Sequence, residues 1–395
     1  MLEKNLEQRL RAKLDPYVAS KKIPGYSCLV SQNEKELVFV KQGLMDVEKN
    51  RSLQRDTIFR IYSMTKPITS IAMMQLFERG LFQLDDPVDR FIPSWKDLKV
   101  FESGTADDYR THTPERPMTI RHLLTHTSGL TYFFQSTHPV DELYRQYGID
   151  GEVSSGSLEE KIARLENIPL QFSPGSRWNY SVSTDVIGYL IQLIAEQPLD
   201  SYIDENICTP LGLYDTRFQV PSAQQKRFAA CYEYVHPAQT FKLQDDPSKS
   251  PYLETPHFLS GGGGMVSTID DYHCFSKMLL NKGSYNGQRI IAEKTLNLMT
   301  QNQMPGNRDL AAMGQPVFSE TPYDGIGFGL GFAVMLDPAS AKICGSEGDF
   351  GWGGAASTYF WIDPVEHLIA IFMTQLLPSN AYPLRSDFRQ GVYQY

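Results

Sequence analysis

The chain has 395 residues, of which 41% are hydrophobic and 21% are charged. This composition is typical of a globular protein large enough for one big core or two lobes, and it excludes a chain that is disordered throughout. The formal net charge is −9 without a run of Lys or Arg, which argues against nucleic acid or an anionic membrane as the main partner and favours a small neutral substrate.

The predicted elements begin with a charged amphipathic helix at the N-terminus, which lacks the apolar region of a secretion signal. Strand-like runs lie near the two ends of the chain, and segments with helical spacing fill the middle. The strands are predicted over residues 26–31, 36–41, 329–336, 356–362 and 367–374, and the helices of the middle over 120–125, 158–165, 186–196 and 199–207.

This order predicts an α+β fold, in which an antiparallel sheet built from both termini is flanked by helices and carries an inserted mainly helical domain. We expect residues 1–95 and 226–395 to form an α/β sandwich domain and residues 96–225 to form the insertion. Two long stretches, 101–117 and 302–325, show no regular pattern, so that they either cover a substrate cleft or are surface insertions.

The cysteines indicate a reducing compartment. They are far apart, show no C-x-x-C spacing, and leave one thiol unpaired in any disulfide scheme. The longest apolar stretch, residues 368–373, is far shorter than the roughly 20 residues that cross a bilayer. We therefore expect a cytoplasmic protein without a membrane partner, and the sequence leaves its oligomeric state open. The five cysteines are Cys28, Cys208, Cys231, Cys274 and Cys344.

Ser63 and Lys66 form the only Ser-x-x-Lys match in the chain. A strand-like run precedes the match, and a helix with a broad apolar surface follows it and ends at Gly80. Residues i and i+3 of a helix are neighbours, so the Lys66 amine could take the proton of the Ser63 hydroxyl and make it a nucleophile. The alternative is that Ser63 caps the helix and Lys66 is a solvated residue of its first turn.

Tyr180 and Asp185 come from a second segment, in which a turn leads into a helix with apolar core spacing. A phenol on this turn could relay a proton from Ser63 to a leaving group, although an aromatic at an interface with its hydroxyl in water is the simpler interpretation of the segment alone. Asp185 at the helix start complements the helix dipole, and a role in the cleft is the alternative.

Trp352, Gly353, Gly354 and Ala355 form a glycine-rich segment that leads into a predicted strand. Glycine at these positions lets a ligand approach the strand N–H groups closely, which an oxyanion hole requires. Taken alone, the segment is better interpreted as a bulge or a tight turn.

The sequence lacks the motifs of other catalytic and metal-binding sites. No serine has glycines at both −2 and +2, so the nucleophile elbow of α/β-hydrolases is missing. The run His126-Thr-Ser-Gly129 is interpreted as a loop, and the glycines at 261–264 as a turn. Without H-E-x-x-H or clustered Cys and His residues, we expect no metal and no cofactor.

With Ser63-x-x-Lys66, Tyr180-Ser-Val182 and Trp352-Gly353-Gly354 in this order, the chain resembles the serine β-lactamase/penicillin-binding-protein superfamily, and within it the family VIII carboxylesterases of class C β-lactamase-like fold. The resemblance covers nearly the whole chain. It implies that Ser63 is acylated, that Lys66 and Tyr180 share proton transfer, and that the N–H groups of Ser63 and Ala355 form the oxyanion hole.

Two departures from β-lactamases set the expected substrate. Val182 stands where the resemblance implies an asparagine, and Trp352 stands where it implies the strand lysine that pairs with a lactam carboxylate. We expect Val182, Trp352, Gly353, Gly354 and Asp185 to bind the substrate. Replacing both polar groups by Val182 and Trp352 would make the cleft more apolar and would favour neutral esters. The expected activity is a serine carboxylesterase for short-to-medium acyl esters, and the alternatives are a β-lactamase or D-amino-peptide hydrolase, an acyltransferase, or a binder that is acylated without turnover.

Overall fold

The computed structural model describes residues 2–149, 156–314 and 323–393. The helices of this part, numbered in chain order, are α1 Leu2–Ala19, α2 Thr65–Glu78, α3 Ile120–Leu124, α4 Pro139–Gln146, α5 Leu158–Leu165, α6 Ser183–Ala195, α7 Leu199–Ile203, α8 Thr209–Leu211, α9 Ile269–Leu280, α10 Glu293–Met299, α11 Leu310–Met313, α12 Pro338–Ala341 and α13 Leu384–Val392. A π-helical turn, Asp204–Cys208, joins α7 to α8.

The strands of the same part are β1 Gly25–Gln32, β2 Lys35–Asp46, β3 Arg51–Ser52, β4 Phe59–Arg60, β5 Val100–Gly104, β6 Tyr109–His112, β7 Cys231–Val235, β8 Thr240–Asp245, β9 Val266–Ser267, β10 Ser284–Tyr285, β11 Gln288–Arg289, β12 Ile326–Phe328, β13 Ala333–Met335, β14 Phe350–Gly353, β15 Tyr359–Asp363, β16 Leu368–Met373 and β17 Leu376–Leu377. Eight of them form the main sheet in the order β12-β13-β14-β15-β16-β1-β2-β3.

The two ends of the chain meet in the middle of this sheet. Strand β1 pairs antiparallel with β16, with Leu29 opposite Ile371, and β1 also pairs with β2 across a short turn. Every pairing within the main sheet is antiparallel. The α+β fold expected from the sequence, with one antiparallel sheet assembled from both termini, is therefore present.

Alternation along β16 divides the core into two layers. Ile369 and Ile371 belong to the larger cluster, which contains the buried residues of α2, α6 and α9, whereas Ala370 and Phe372 belong to a second cluster with α1 and α13. Because helices cover both faces of the sheet, β16 reads as an uninterrupted apolar run instead of alternating with polar residues. Helix α2 lies inside the larger cluster, and it packs against α6 and α7.

Four local expectations were wrong. Residues 329–336 are not one strand, because a tight turn with φ of 96° at Gly331 separates β12 from β13. The strand predicted from 356 begins only at Tyr359, since residues 355–357 form a turn. Neither 101–117 nor 302–325 is irregular throughout, because most of β5 and all of β6 form a hairpin in the first stretch and α11 lies in the second. The helix predicted over 199–207 ends at Ile203 and continues as the π-helical turn.

Within the described ranges, no helix combines the length and the apolar character that crossing a bilayer requires. In the same ranges, no group of three or more His, Cys, Asp or Glu side chains is arranged to hold a metal ion. All five cysteines are free thiols, and Cys28, Cys208 and Cys231 are buried. The division of the chain at residues 95/96 and 225/226 stays a prediction.

Candidate active site

Ser63 lies in a 3₁₀ turn, Tyr62–Met64, that leads directly into α2. Its predecessor Tyr62 has a φ of 42°, an unusual backbone conformation for a bulky residue. The turn places Ser63 before the N-terminus of a buried helix, where unpaired N–H groups and the positive end of the dipole favour developing negative charge. The helix ends as the sequence predicts, with Gly80 in the left-handed conformation.

Lys66 occupies the first turn of α2 and is 1% exposed. Its ammonium nitrogen donates three hydrogen bonds: to Ser63 Oγ at 3.2 Å, to the Tyr132 hydroxyl at 3.0 Å and to the Gly262 carbonyl oxygen at 2.6 Å. These bonds use all three donors of the group, which fixes its position beneath the serine. The alternative of a solvated first-turn lysine is therefore wrong.

Tyr180 lies on the turn before α6 and is buried. Its hydroxyl donates to Ser63 Oγ at 2.5 Å and accepts from the Trp352 indole Nε1 at 3.3 Å. The Lys66 ammonium lies 4.6 Å from the centre of the Tyr180 ring, within the range of a cation–π contact. The simpler interpretation, a hydroxyl in water, is thereby excluded, and the serine oxygen stands between a phenol and an amine.

Asp185 lines the cleft, but its carboxylate is engaged by protein groups. Its Oδ1 accepts from Ser260 Oγ at 2.6 Å and from the Gly262 N–H at 2.9 Å. A Cβ on Gly262 would lie 3.0 Å from the same carboxylate, so glycine suits the close approach. Asp185 thus holds the loop whose Gly262 carbonyl receives Lys66, and the glycine run at 261–264 is more than a turn.

Tyr132 is a site residue that the sequence reasoning missed. Burial, with the nearby charges of Tyr180 and Asp185, raises the pKa of Tyr132 well above its usual value, so it is a neutral partner for Lys66. The signal in the sequence is an aromatic cluster, residues 132–134, just after the His126 loop. The centres of the His126 and Tyr180 rings lie 5.0 Å apart, and burial lowers the pKa of His126 well below its usual value.

Two backbone N–H groups are free to receive an anion. Among the described residues, neither the Ser63 nor the Ala355 amide donates to a protein acceptor. Gly354 brings the two segments together, since a Cβ there would collide with the Ile61 carbonyl oxygen. Ala355 is exposed and lines the same cleft as Ser63. This geometry fits the expected oxyanion hole.

The groups meet in a cleft of about 660 Å³. Val182 and Trp352 line it, as do the aromatic rings of Phe133 and Phe258, so most of its wall is apolar. Gly353 and Gly354 line it too, and Tyr323 does so at the end of the stretch 302–325. Residues 315–322 of that stretch lie outside the described residues, and the hairpin at 101–117 contributes nothing to the lining.

A hydroxyl between a phenol and an amine, at a helix N-terminus and beside free N–H groups, is equipped for acyl transfer. The fold and the site together define a serine hydrolase. The chain belongs to the Beta-lactamase family, whose profile matches residues 10–392.

Known proteins agree with this assignment. Esterase EstB of Burkholderia gladioli is 31% identical over 98% of this chain and 95% of its own. Monacolin J acid methylbutanoyltransferase of Aspergillus terreus is 29% identical over 86% of this chain and 83% of its own. The structure of EstCE1, described as a hydrolase with promiscuous acyltransferase activity, superposes with a TM-score of 0.83 at 27% identity, and the match covers 100% of both chains.

The predicted family and the predicted β-lactamase/transpeptidase-like fold are therefore confirmed. The predicted roles of Ser63, Lys66, Tyr180 and Ala355 stay predictions, although Ser63, Tyr180 and Ala355 line one cleft and Lys66 lies 3.2 Å from Ser63 Oγ.

Proposed function

We propose that the protein is a carboxylesterase that hydrolyses short-to-medium acyl esters through a covalent acyl-enzyme on Ser63. The observation that supports this most directly is the pair of contacts on the serine oxygen, Tyr180 at 2.5 Å and Lys66 at 3.2 Å, in an apolar cleft. Both partners are within the reach that proton transfer needs.

The reaction runs in two halves. Once Lys66 has released one proton and is a neutral amine, the Ser63 oxygen attacks the ester carbonyl carbon while its own proton passes to that amine, directly or through the Tyr180 hydroxyl, and the N–H groups of Ser63 and Ala355 stabilise the oxyanion. The same pair returns the proton to the alcohol oxygen as the carbon–oxygen bond breaks. Tyr180 is closer than Lys66 to Ser63 Oγ and stands as the last carrier of this proton. Water then cleaves the acyl-enzyme and releases the acid.

The lining of the cleft supports neutral esters over β-lactams. Val182 supplies no amide to orient a lactam side chain, and Trp352 uses its N–H on Tyr180 and supplies no cation for a lactam carboxylate. Apolar walls favour substrates without charge near the reacting carbonyl.

Acyl transfer to an alcohol is a second candidate, because EstCE1 and the Aspergillus enzyme are described as performing it. Transfer and hydrolysis share the acyl-enzyme and differ only in the acceptor of the second half. Adding a short alcohol to an ester assay separates them: a new ester product at the expense of the acid would indicate transfer.

We include in the proposal a cytoplasmic location and a small-molecule ester as the substrate, with neither nucleic acid nor a membrane as a partner. The free thiols, all five cysteines of the chain, support a reducing compartment. The net charge of −9 supports a role away from nucleic acid and anionic lipid.

The test is Ser63→Ala, assayed with p-nitrophenyl butyrate and with nitrocefin. We expect no ester turnover in this variant, and we expect wild-type protein to cleave the ester and to leave nitrocefin nearly untouched. Ser386→Ala is the matched control, because Ser386 also lines the cleft but does not contact Lys66. Ester hydrolysis by the Ser63→Ala variant at the control's rate would refute the proposal.

A further inference from the structure

The turn that carries the Ala355 amide is stabilised by hydrogen bonds from residues outside the catalytic motifs. Residues 354–358 connect β14 to β15, and within the turn the Gly354 N–H donates to the Thr358 carbonyl at 2.8 Å. The turn also contacts β17, because Ser357 Oγ donates to the Leu376 carbonyl at 2.7 Å. Within the turn the Gly354 carbonyl also accepts from the Ser357 N–H at 3.1 Å, and none of these bonds is made by the Ala355 N–H.

Arg385, in the first turn of α13, reaches across to this turn. One guanidinium nitrogen, Nη2, donates to the Gly354 carbonyl at 2.7 Å and to the Thr358 carbonyl at 3.2 Å. The Gly354 carbonyl belongs to the same peptide group as the Ala355 N–H. Because a peptide group is planar, fixing the oxygen of that group fixes the direction of its N–H.

The surroundings of Arg385 hold the guanidinium in place. A Cβ on Gly353 would collide with the guanidinium, so the glycine gives it room against β14. The guanidinium carbon lies 5.4 Å from the centre of the Tyr359 ring. One helical turn later, Arg389 pairs with the buried Asp349 at 2.7 Å and so ties α13 to the start of β14.

We propose that Arg385 is the positioning residue of the oxyanion hole: its hydrogen bond to the Gly354 carbonyl aims the Ala355 N–H at the carbonyl oxygen of the substrate. This inference rests on the proposed acyl-transfer function. It assigns to α13 a part in catalysis, although none of the residues of α13 contacts Ser63.

The test compares Arg385→Ala with Arg9→Ala in the full-length protein. Arg9 is a matched control, because it also donates to two backbone carbonyls of α13, those of Gly391 at 3.1 Å and Val392 at 3.3 Å, but lies outside the cleft. Misplacing an oxyanion donor costs up to about 100-fold in rate, so we expect kcat of Arg385→Ala to fall about 10- to 100-fold with KM nearly unchanged. We expect Arg9→Ala to keep its kcat within about twofold.

Two further measurements distinguish a misdirected Ala355 N–H from a general loosening of the protein structure. The rate at which a fluorophosphonate modifies Ser63 should fall in parallel with kcat, because its phosphoryl oxygen occupies the same hole. Added ethylguanidinium should restore activity to Arg385→Ala and not to other impaired variants, while the pH profile of kcat keeps its shape. Should Arg385→Ala fail to fold, Arg385→Lys replaces it, and a loss of kcat of about three- to tenfold is expected.

The inference is overturned if Arg385→Ala, or Arg385→Lys in its place, matches the kcat of Arg9→Ala. It is also overturned if the loss in Arg385→Ala resists guanidinium while the fluorophosphonate rate on Ser63 is unchanged. A wild-type protein that neither hydrolyses esters nor reacts at Ser63 would instead refute the proposed function itself, so the two failures are distinguishable.

Discussion

Replacing Tyr180 by phenylalanine removes one hydroxyl from the site and little else. The hydroxyl donates to Ser63 Oγ at 2.5 Å and accepts from Trp352 Nε1 at 3.3 Å, whereas the ring packs on Trp178, Trp352 and His126. A lost hydrogen bond of this kind changes the free energy of unfolding by only about 1 kcal/mol. The variant should therefore fold and bind esters with little change in KM.

The catalytic effect should be far larger than the effect on stability. General acid–base catalysis contributes about 10²- to 10⁴-fold, so we expect kcat to fall about 10³-fold, which corresponds to about 4 kcal/mol in activation free energy. The loss should be greater for an alkyl ester than for the matching p-nitrophenyl ester, because an alkoxide must be protonated as it leaves and a nitrophenolate need not be.

The assay is the initial rate of hydrolysis of the two esters by wild type, Tyr180→Phe and Tyr382→Phe. Tyr382 is the control, since its hydroxyl donates to the Gln239 carbonyl at 2.8 Å outside the cleft and its loss should leave kcat unchanged. A Tyr180→Phe variant with kcat within about threefold of wild type on both esters would refute the reasoning about proton transfer.

Three other variants test separate parts of the account. Gly354→Ala should lose both activity and thermal stability, because its Cβ would collide with the Ile61 carbonyl oxygen. Gly263→Ala is the control and should keep its melting temperature, since the atom nearest to its Cβ would lie 3.8 Å away. Equal melting temperatures for the two variants would contradict this reasoning. Burial lowers the pKa of His273 to about 4, so the folded state binds fewer protons than the unfolded state between that pH and about 6.5, and stability falls as pH falls. His273→Gln should reduce the loss of unfolding free energy between pH 7 and pH 5 by about 1 to 2 kcal/mol in urea titrations, and an unchanged loss would contradict the assignment. Trp352→Lys should lower ester turnover and raise the ratio of nitrocefin to ester hydrolysis, and an unchanged ratio would show that this position does not set substrate choice.

The sheet could be predicted because its central strands carry strong local patterns. Residues 26–31 and 367–374 are short apolar runs bounded by polar turns, and the observed β1 and β16 match them closely. The patterns failed where glycine intervened. Gly329 and Gly331 lie within a run whose pattern predicts a single strand. The turn at these glycines follows only from the pairing of β12 with β13 in the structure.

The residues of the site also differ in whether the sequence predicts them. Ser63, Lys66 and Tyr180 lie in recognisable segments, and the structure brings both Lys66 and Tyr180 within hydrogen-bond distance of Ser63. Gly262 and Arg385 carry no local signal, because their partners lie far away in the chain and only the tertiary fold makes them neighbours. Catalytic residues that belong to a motif can be recognised in the sequence, but the residues that position the motif cannot.

The most direct test of the central claim is covalent labelling with a fluorophosphonate, followed by peptide mapping by mass spectrometry. The account predicts one label per chain, located on Ser63, with loss of esterase activity in proportion to labelling and no label on the Ser63→Ala variant. Labelling at another residue, or loss of activity while Ser63 stays unmodified, would contradict the account.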